Sequence, residues 1–198
     1  MNKKQQTVHT YNISSKALAH KFDSMGARKN DVDETFACIE KENPIVLEIG
    51  CGNGRDAEYI MQKTSKYVGI DVSEKLIELA KEKVSNATFE VADIEEFEFP
   101  QGIDIIFAFA SLIHVSKESL EKILKRAYSA LNNDGVIRLS LKNSKDYEEV
   151  TREDEFGTRT YYHYSCEDIV SMNHGFTVAK CEEPEIKGQK WLEVILKK

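Results

Sequence analysis

The chain reads as an α/β protein built on a mostly parallel sheet with helices on both faces, and three observations predict this. From residue 45 onward, short β-rich runs alternate with segments of helical period. Strands separated by helices of about 10–15 residues imply βαβ units, and parallel strands of that kind are buried on both sides. The first strand, Ile45-Val-Leu-Glu-Ile, runs straight into glycines and then toward a helix, a turn that brings bare backbone and a helix N-terminus to one point. Finally, 198 residues with 41% hydrophobic and 31% charged composition describe an ordinary globular chain, long enough to bury a core without staples.

Each element follows in order. Residues 12–42 supply helical material ahead of the first strand. Arg55 to Lys63 reads as a helix and Tyr67-Val-Gly-Ile-Asp71 as the second strand. Over 73–84, Leu76, Ile77, Leu79, Ala80 and Val84 fall on one helical stripe, with Ser73 placed as its N-cap. Thr88 to Asp93 is a third strand and Ile103 to Phe109 a fourth. Leu120, Ile123, Leu124, Ala127 and Leu131 give a further helix, and Asn132-Asn-Asp-Gly135 a turn into a fifth strand. Ser165-Cys-Glu-Asp168 has the spacing of a capping box, and Phe176–Cys181 and Trp191–Leu196 close the chain as strands. Between Lys142 and Tyr164 no period is evident. A structureless segment of that length is functional or disordered, and this one leaves the carboxyl end of a strand, where open α/β sheets bind ligands.

Composition removes several function classes. The longest apolar run, Ile105 to Ile113, already includes Ser111 and falls short of the roughly 18 residues that span a bilayer. The polar N-terminus lacks a secretory h-region, so a cytoplasmic location is expected. A net charge of −7 without a basic stripe disfavours nucleic acid as a partner. The four cysteines, Cys38, Cys51, Cys166 and Cys181, are too dispersed for a zinc site or a disulfide framework, and most are expected to be small buried or half-buried residues. No metal is expected, and nothing in the pattern sets the oligomeric state.

The strongest signal is Val46-Leu-Glu-Ile-Gly-Cys-Gly-Asn-Gly54. Dinucleotide enzymes require G-x-G-x-x-G, which would place the third glycine at position 55. Position 55 is Arg, and the third glycine comes one residue early. A shorter turn of this kind has no pyrophosphate to cradle.

This stretch resembles the first motif of the class I S-adenosylmethionine (SAM)-dependent methyltransferases, and other elements of that family appear in order over roughly residues 40–198. The resemblance implies a Rossmann-like, seven-stranded sheet with its last strand antiparallel. It divides the chain into an N-terminal helical cap or lid, residues 1–42, and a SAM-binding domain, residues 43–198. It also implies a site. Glu48, Gly50, Cys51, Gly52 and Gly54 would form the cofactor turn, and Asp71 would take both ribose hydroxyls, with Val72 beside it. Asp93 would meet the adenine amino group with Ile94 against the ring, and the backbone at Ala108 would receive the methionine ammonium. Arg55 either holds the SAM carboxylate or pairs with a neighbouring acid. Phe22, next to Asp23, resembles an N-terminal tyrosine of the family but lacks its hydroxyl. Gly54-Arg-Asp-Ala, Ala110-Ser-Leu-Ile-His-Val and the stretch from Gly157 to Ser165 are similar to a narrower group of small bacterial methyltransferases of undefined acceptor.

The expected function is therefore methyl transfer from SAM to a small molecule by in-line displacement, leaving S-adenosylhomocysteine. A macromolecular acceptor, or a catalytically idle SAM-binding regulatory subunit, are the competing readings. Such chemistry rests mainly on positioning, which can supply roughly 7–11 kcal/mol. His114, just past the fourth strand, is the candidate catalytic residue. It reads as a general base, as a donor that holds the acceptor, or as a satisfied histidine at a helix start. As a base with its ordinary pKa, it would lose activity below about pH 6.5. Arg159, Tyr161, Tyr162, His163 and Tyr164 would line the acceptor side or pack an edge strand. Asp104 reads as structural, and Trp191 as core. The Lys142–Tyr164 segment and the residues before about 25 are expected to form a mobile cover.

Overall fold

The computed structural model describes residues 1–198. Three helices, α1 (Lys3–Ile13), α2 (Ser15–Met25) and α3 (Lys29–Phe36), precede the first strand. Then come β1 (Ile45–Ile49), α4 (Ala57–Ile60), β2 (Lys66–Asp71), α5 (Glu74–Lys83), β3 (Thr88–Val91) and β4 (Ile103–Phe109). A 3₁₀ turn at Leu112–His114 leads to α6 (Lys117–Ala130), β5 (Leu131–Asn143), β6 (Glu148–Asp154), β7 (Gly157–Tyr164) and α7 (Cys166–Ser171). The chain finishes with β8 (Thr177–Glu182), β9 (Glu185–Ile186) and β10 (Gln189–Lys197).

Seven strands form the main sheet in the order β3-β2-β1-β4-β5-β10-β8. The first five pair in parallel, and β10 runs antiparallel to both β5 and β8. The central strand β4 is buried along all seven residues. Its side chains alternate between two cores, as strand geometry requires. Ile106 and Ala108 join the face covered by α6, through Leu120, Ile123 and Leu124. Ile105, Phe107 and Phe109 join the face covered by Ala57, Ile60, Ile77 and Ala80 of α4 and α5. Each fully buried side chain of this size contributes about 1.5–3 kcal/mol. The helix α5 begins where predicted, with the Ser73 hydroxyl accepting from Leu76 N, and α7 begins on a complete capping box between Ser165 and Asp168.

Several expectations change. Helical structure starts at Lys3, where Asn2 and Gln5 form a capping box. The predicted 55–63 helix keeps only one regular turn, because Gln62 N and Lys63 N bond three residues back and tighten the end. The third strand ends at Val91. Asn132–Gly135 lies within β5 as an irregular stretch with Asp134 at φ 64°.

The largest change concerns 142–164, which is not structureless. It holds the β6–β7 hairpin, joined to the main sheet where Lys142 and Asn143 of β5 run beside His163 and Tyr164. Most of β6 is exposed and charged, so no apolar alternation marks it in the sequence.

The cysteine reading also needs correction. Cys166 and Cys181 are bonded, their Cα atoms 6.2 Å apart, because α7 packs beside β8. Cys38 and Cys51 are free. No helix is long and apolar enough to cross a membrane.

Candidate active site

A single large cavity, about 1090 Å³, opens at the carboxyl ends of β1, β2 and β4 and continues beneath the hairpin. Its floor is the glycine turn. Gly50 has φ 71°, and a Cβ there would stand 2.1 Å from Ser111 Cβ. No other residue fits, because Ser111 is itself held by its Oγ donating to Ile49 O at 2.6 Å. Gly52, at φ 56°, turns its amide toward Asp71 Oδ2 at 3.0 Å, beneath the ring of Phe22. Gly54 does something else. It does not line the cavity; a Cβ there would press on Ala80 and Phe89 at 3.3 Å, so this glycine lets the turn pack against α5 and β3.

Asp71 ends β2 and accepts from Gly52 N and from Ser73 N at 2.8 Å. Burial pushes its carboxyl up to about 6 despite those bonds. Beside it Val72 stays 36% exposed, an apolar side chain left on the cavity wall. Asp93 follows β3 and pairs with Lys4 Nζ at 2.5 Å, while the Ile94 carbonyl accepts from Arg126 Nη2 at 2.6 Å. Glu48 is 2% exposed and takes the Tyr67 hydroxyl at 2.5 Å. Burial, with the Asp56 charge nearby, lifts it well above the usual carboxylate range. Cys51 also reaches the cavity, its thiol pushed well up by burial.

The expected cofactor residues thus gather at one end, with two departures besides Gly54. Ala108 is fully buried within β4 and does not reach the cavity; Phe109, Ala110 and Ser111 do, with Ala110 at φ 54°. Arg55 lines the cavity but binds Asp56 through Nη2 at 2.5 Å. Asp56 also accepts from Arg28 N at 2.7 Å, which joins the start of α3 to the turn. Below α3, buried Arg138 of β5 pairs with Asp31 and Glu34, each at 2.7 Å.

At the other end stands His114. Its Nδ1 lies 2.6 Å from Thr160 O of β7, so this nitrogen carries the proton and donates. Its Nε2 is then the acceptor, and it receives the Tyr11 hydroxyl at 2.8 Å. The ring packs against Tyr161 with centroids 4.8 Å apart. Burial, helped by Arg159 and Lys142, pushes the imidazole down to about 4, so it is neutral at pH 7. The expectation of an ordinary histidine pKa is overturned by this enclosure. Burial likewise pushes the Tyr11 hydroxyl upward, keeping its proton.

Tyr11 is the residue that sequence reasoning missed. It sits in a polar helix 103 positions before its partner, and no local pattern singles it out. Of the aromatic run in β7, Tyr161 and His163 line the cavity together with Arg159. Tyr162 and Tyr164 point to the opposite face by strand alternation, where both pack against Tyr147 and Tyr164 donates to Val115 O. Trp191, expected in the core, is half-buried on the cavity wall beneath the Lys142 ammonium. Asp104 is structural, receiving Ile45 N and Lys41 Nζ at 2.7 Å.

The residues fit the cofactor the sequence suggests. Two glycines without side chains, a buried carboxylate and a part-exposed Val72 offer surfaces that suit an amino-acid end, a ribose and a flat base.

Comparison with known proteins agrees with this geometry. Residues 46–135 match the family model described as a methyltransferase domain. The chain is 33% identical over 104 residues to a phosphoethanolamine N-methyltransferase of Plasmodium falciparum, covering 50% of this chain and 39% of that protein. It is 32% identical over 104 residues to a trans-aconitate 2-methyltransferase of Variovorax paradoxus, covering 51% and 39%. The chain therefore spans well under half the length of these relatives. Among solved structures, magnesium protoporphyrin IX methyltransferase of Synechocystis, crystallised with S-adenosylhomocysteine, superposes with a TM-score of 0.76 at 16% identity over 100% of both chains. A SAM-dependent methyltransferase structure from Listeria monocytogenes gives 0.71 at 20% identity, covering 85% of this chain and 97% of that one. Residues 46–135, which hold the glycine turn and the strand-end aspartates, therefore form a methyltransferase domain, and the chain has the fold of the SAM-dependent methyltransferases.

Proposed function

We propose that the protein transfers the methyl group of SAM to a small-molecule acceptor. The observation that carries this reading is that one cavity is lined both by the glycine turn with Asp71 and by the Tyr11–His114 pair. The relatives named for phosphoethanolamine and trans-aconitate, and the structural neighbour named for a porphyrin, support an acceptor of small size.

When bound, SAM supplies an electrophilic methyl carbon that needs only an aligned lone pair to accept it. On this reading the Gly50–Gly52 backbone would receive the amino-acid end, Asp71 would accept from the ribose hydroxyls, and Asp93 would meet the base amino group, with Val72 and Ile94 as apolar neighbours. Tyr11 orients the acceptor and takes part in moving its proton. Its own proton is directed at His114 Nε2, and a phenol oxygen that donates still has acceptor capacity. An acceptor proton passing to Tyr11 would drive the phenolic proton onto His114, which the Thr160 carbonyl holds in the right tautomer. His114 therefore acts through Tyr11. The β6–β7 hairpin and α1, which lie over the Tyr11–His114 end of the cavity, would exclude water while this happens.

The test is direct. The purified protein is incubated with methyl-labelled SAM and a fractionated metabolite extract. Formation of S-adenosylhomocysteine with label in a compound of low molecular mass is the expected result. Label appearing only in protein or nucleic acid, or binding of SAM with no turnover in any fraction, would overturn the proposal.

A further inference from the structure

Residues directly opposite in an antiparallel ladder share a face, and that face repeats every second residue. Arg152 stands opposite Arg159, and Glu148 opposite His163, across β6 and β7. Arg152, Arg159 and His163 all line the cavity, so this face of the hairpin is turned inward. Lys142, in register with His163 at the end of β5, adds an ammonium at the same place. Like charges placed opposite one another on a ladder repel. Yet this cluster belongs to a chain of net charge −7.

Carboxylates answer only part of it. Asp154 pairs with Arg159, and Glu148 with His163 at 2.8 Å. Neither Lys142 nor Arg152 has a carboxylate within 4.0 Å. Lys142 makes do with the Gln189 amide oxygen and the face of Trp191, 3.8 Å from the ring centroid. Half-buried beside the positive charge of Arg152, its ammonium is pushed down to about 8. Arg159 is only 7% exposed, and its Nε is buried with no hydrogen-bond partner. Lys142, Arg152 and His163 also form the border with a second compartment of about 370 Å³, which has no hydrophobic lining and gains further positive charge from Lys145 and Lys190. A half-buried ammonium beside an exposed guanidinium, both short of counter-charge, favours an oxyanion and disfavours any cationic ligand.

We propose that the methyl acceptor carries an oxyanion, a carboxylate or a phosphate, held between Lys142 and Arg152 on the inner face of the hairpin while its reacting atom faces Tyr11. This deepens the methyltransferase reading of the cavity and rests on it. Lys142 and Arg152 set substrate class and play no part in binding SAM.

The experiment uses protein saturated with S-adenosylhomocysteine and titrates it calorimetrically, at low ionic strength, with inorganic phosphate and separately with citrate. At least one probe should saturate, and added sodium chloride should weaken it. Lys142→Met and Arg152→Gln should each weaken that probe tenfold or more and leave S-adenosylhomocysteine affinity within twofold, which also certifies their folding. Saturation by phosphate alone assigns a phosphate, and by citrate alone a carboxylate. If neither probe saturates, or both variants bind it as well as wild type, the inference is wrong. Failure of wild type to bind S-adenosylhomocysteine would instead strike the methyltransferase reading, so the two failures are distinct.

Discussion

Asp71 carries the clearest consequence of a single buried charge. Hydrogen bonds to a charged acceptor are worth roughly 1.5–3 kcal/mol, so Asp71→Ala should weaken SAM about 10- to 150-fold by calorimetry. Folding should survive. The pH dependence has two opposite signs. The folded state lifts this carboxyl from 3.8 to about 6 and so holds its proton more tightly than the unfolded chain. Its contribution to stability therefore falls as pH rises through that window. Ligand affinity moves the other way, because ribose hydroxyls donate to the ionised form. Affinity for S-adenosylhomocysteine should decline as pH drops through about 6, and Asp71→Asn should lose that inflection.

The Tyr11–His114 pair gives a second test at the same scale. Tyr11→Phe and His114→Ala should each leave SAM affinity within a few-fold of wild type. Turnover of an acceptor that must lose a proton should fall roughly 10²–10⁴-fold. Since burial pushes His114 down to about 4, its folded-state value lies below the ordinary 6.5. The imidazole stays a base down to about pH 4, and the profile of the chemical step should have no inflection near 6.5 attributable to it. An inflection there that vanishes in His114→Ala would sink the assignment of a buried neutral ring.

Among the elements, α1 and the hairpin act together. The helix has no apolar face; its buried residues are Thr7 and Thr10. It is docked on β7 by hydroxyls, with Thr10 Oγ1 donating to Thr158 O at 2.8 Å and Thr160 N donating to Thr7 Oγ1 at 3.1 Å. Bonds of this kind contribute about 0.5–1.5 kcal/mol each, far less than an apolar core. Hydrogen exchange should therefore find α1 and β6 fast in the free protein and slower with S-adenosylhomocysteine and acceptor bound. Uniformly slow exchange without ligand would retire the idea of a moving cover. The disulfide between α7 and β8 gives a separate expectation. It closes a loop of sequence separation 15, for which chain entropy predicts about 3 kcal/mol. Denaturation of Cys166→Ser against oxidised wild type should register a loss of that order.

For the whole molecule, ligand binding should report which cofactor the glycine turn was built for. SAM or S-adenosylhomocysteine at a hundred times its dissociation constant should add about 2.7 kcal/mol to folding. NAD and NADP should add nothing, because the third glycine precedes Arg55 and faces α5, leaving no pyrophosphate cradle. A thermal-shift experiment in which NAD is the stabilising ligand would falsify the cofactor reading.

Fold class, and the gathering of the candidate cofactor residues at one edge of the sheet, were legible in the sequence because local order encodes them. Strand and helix periods repeat over a few residues. Strand-end groups such as Gly50, Gly52, Asp71 and Asp93 need only their own strand to be brought to the carboxyl edge of the sheet. The capping box at Ser165 is equally local. What lay beyond reach depends on contacts between distant segments. Tyr11 meets His114 only because α1 docks on β7. Cys166 meets Cys181 only because α7 packs on β8. Gly54 and Ala108 keep the right positions in their motifs but turn toward packed neighbours, and no spacing rule says which way a residue faces. The acceptor side is decided at the same level: the exposed, charged β6 buries too little apolar surface to leave a period, so only the folded sheet shows that Arg152, Arg159 and Lys142 converge.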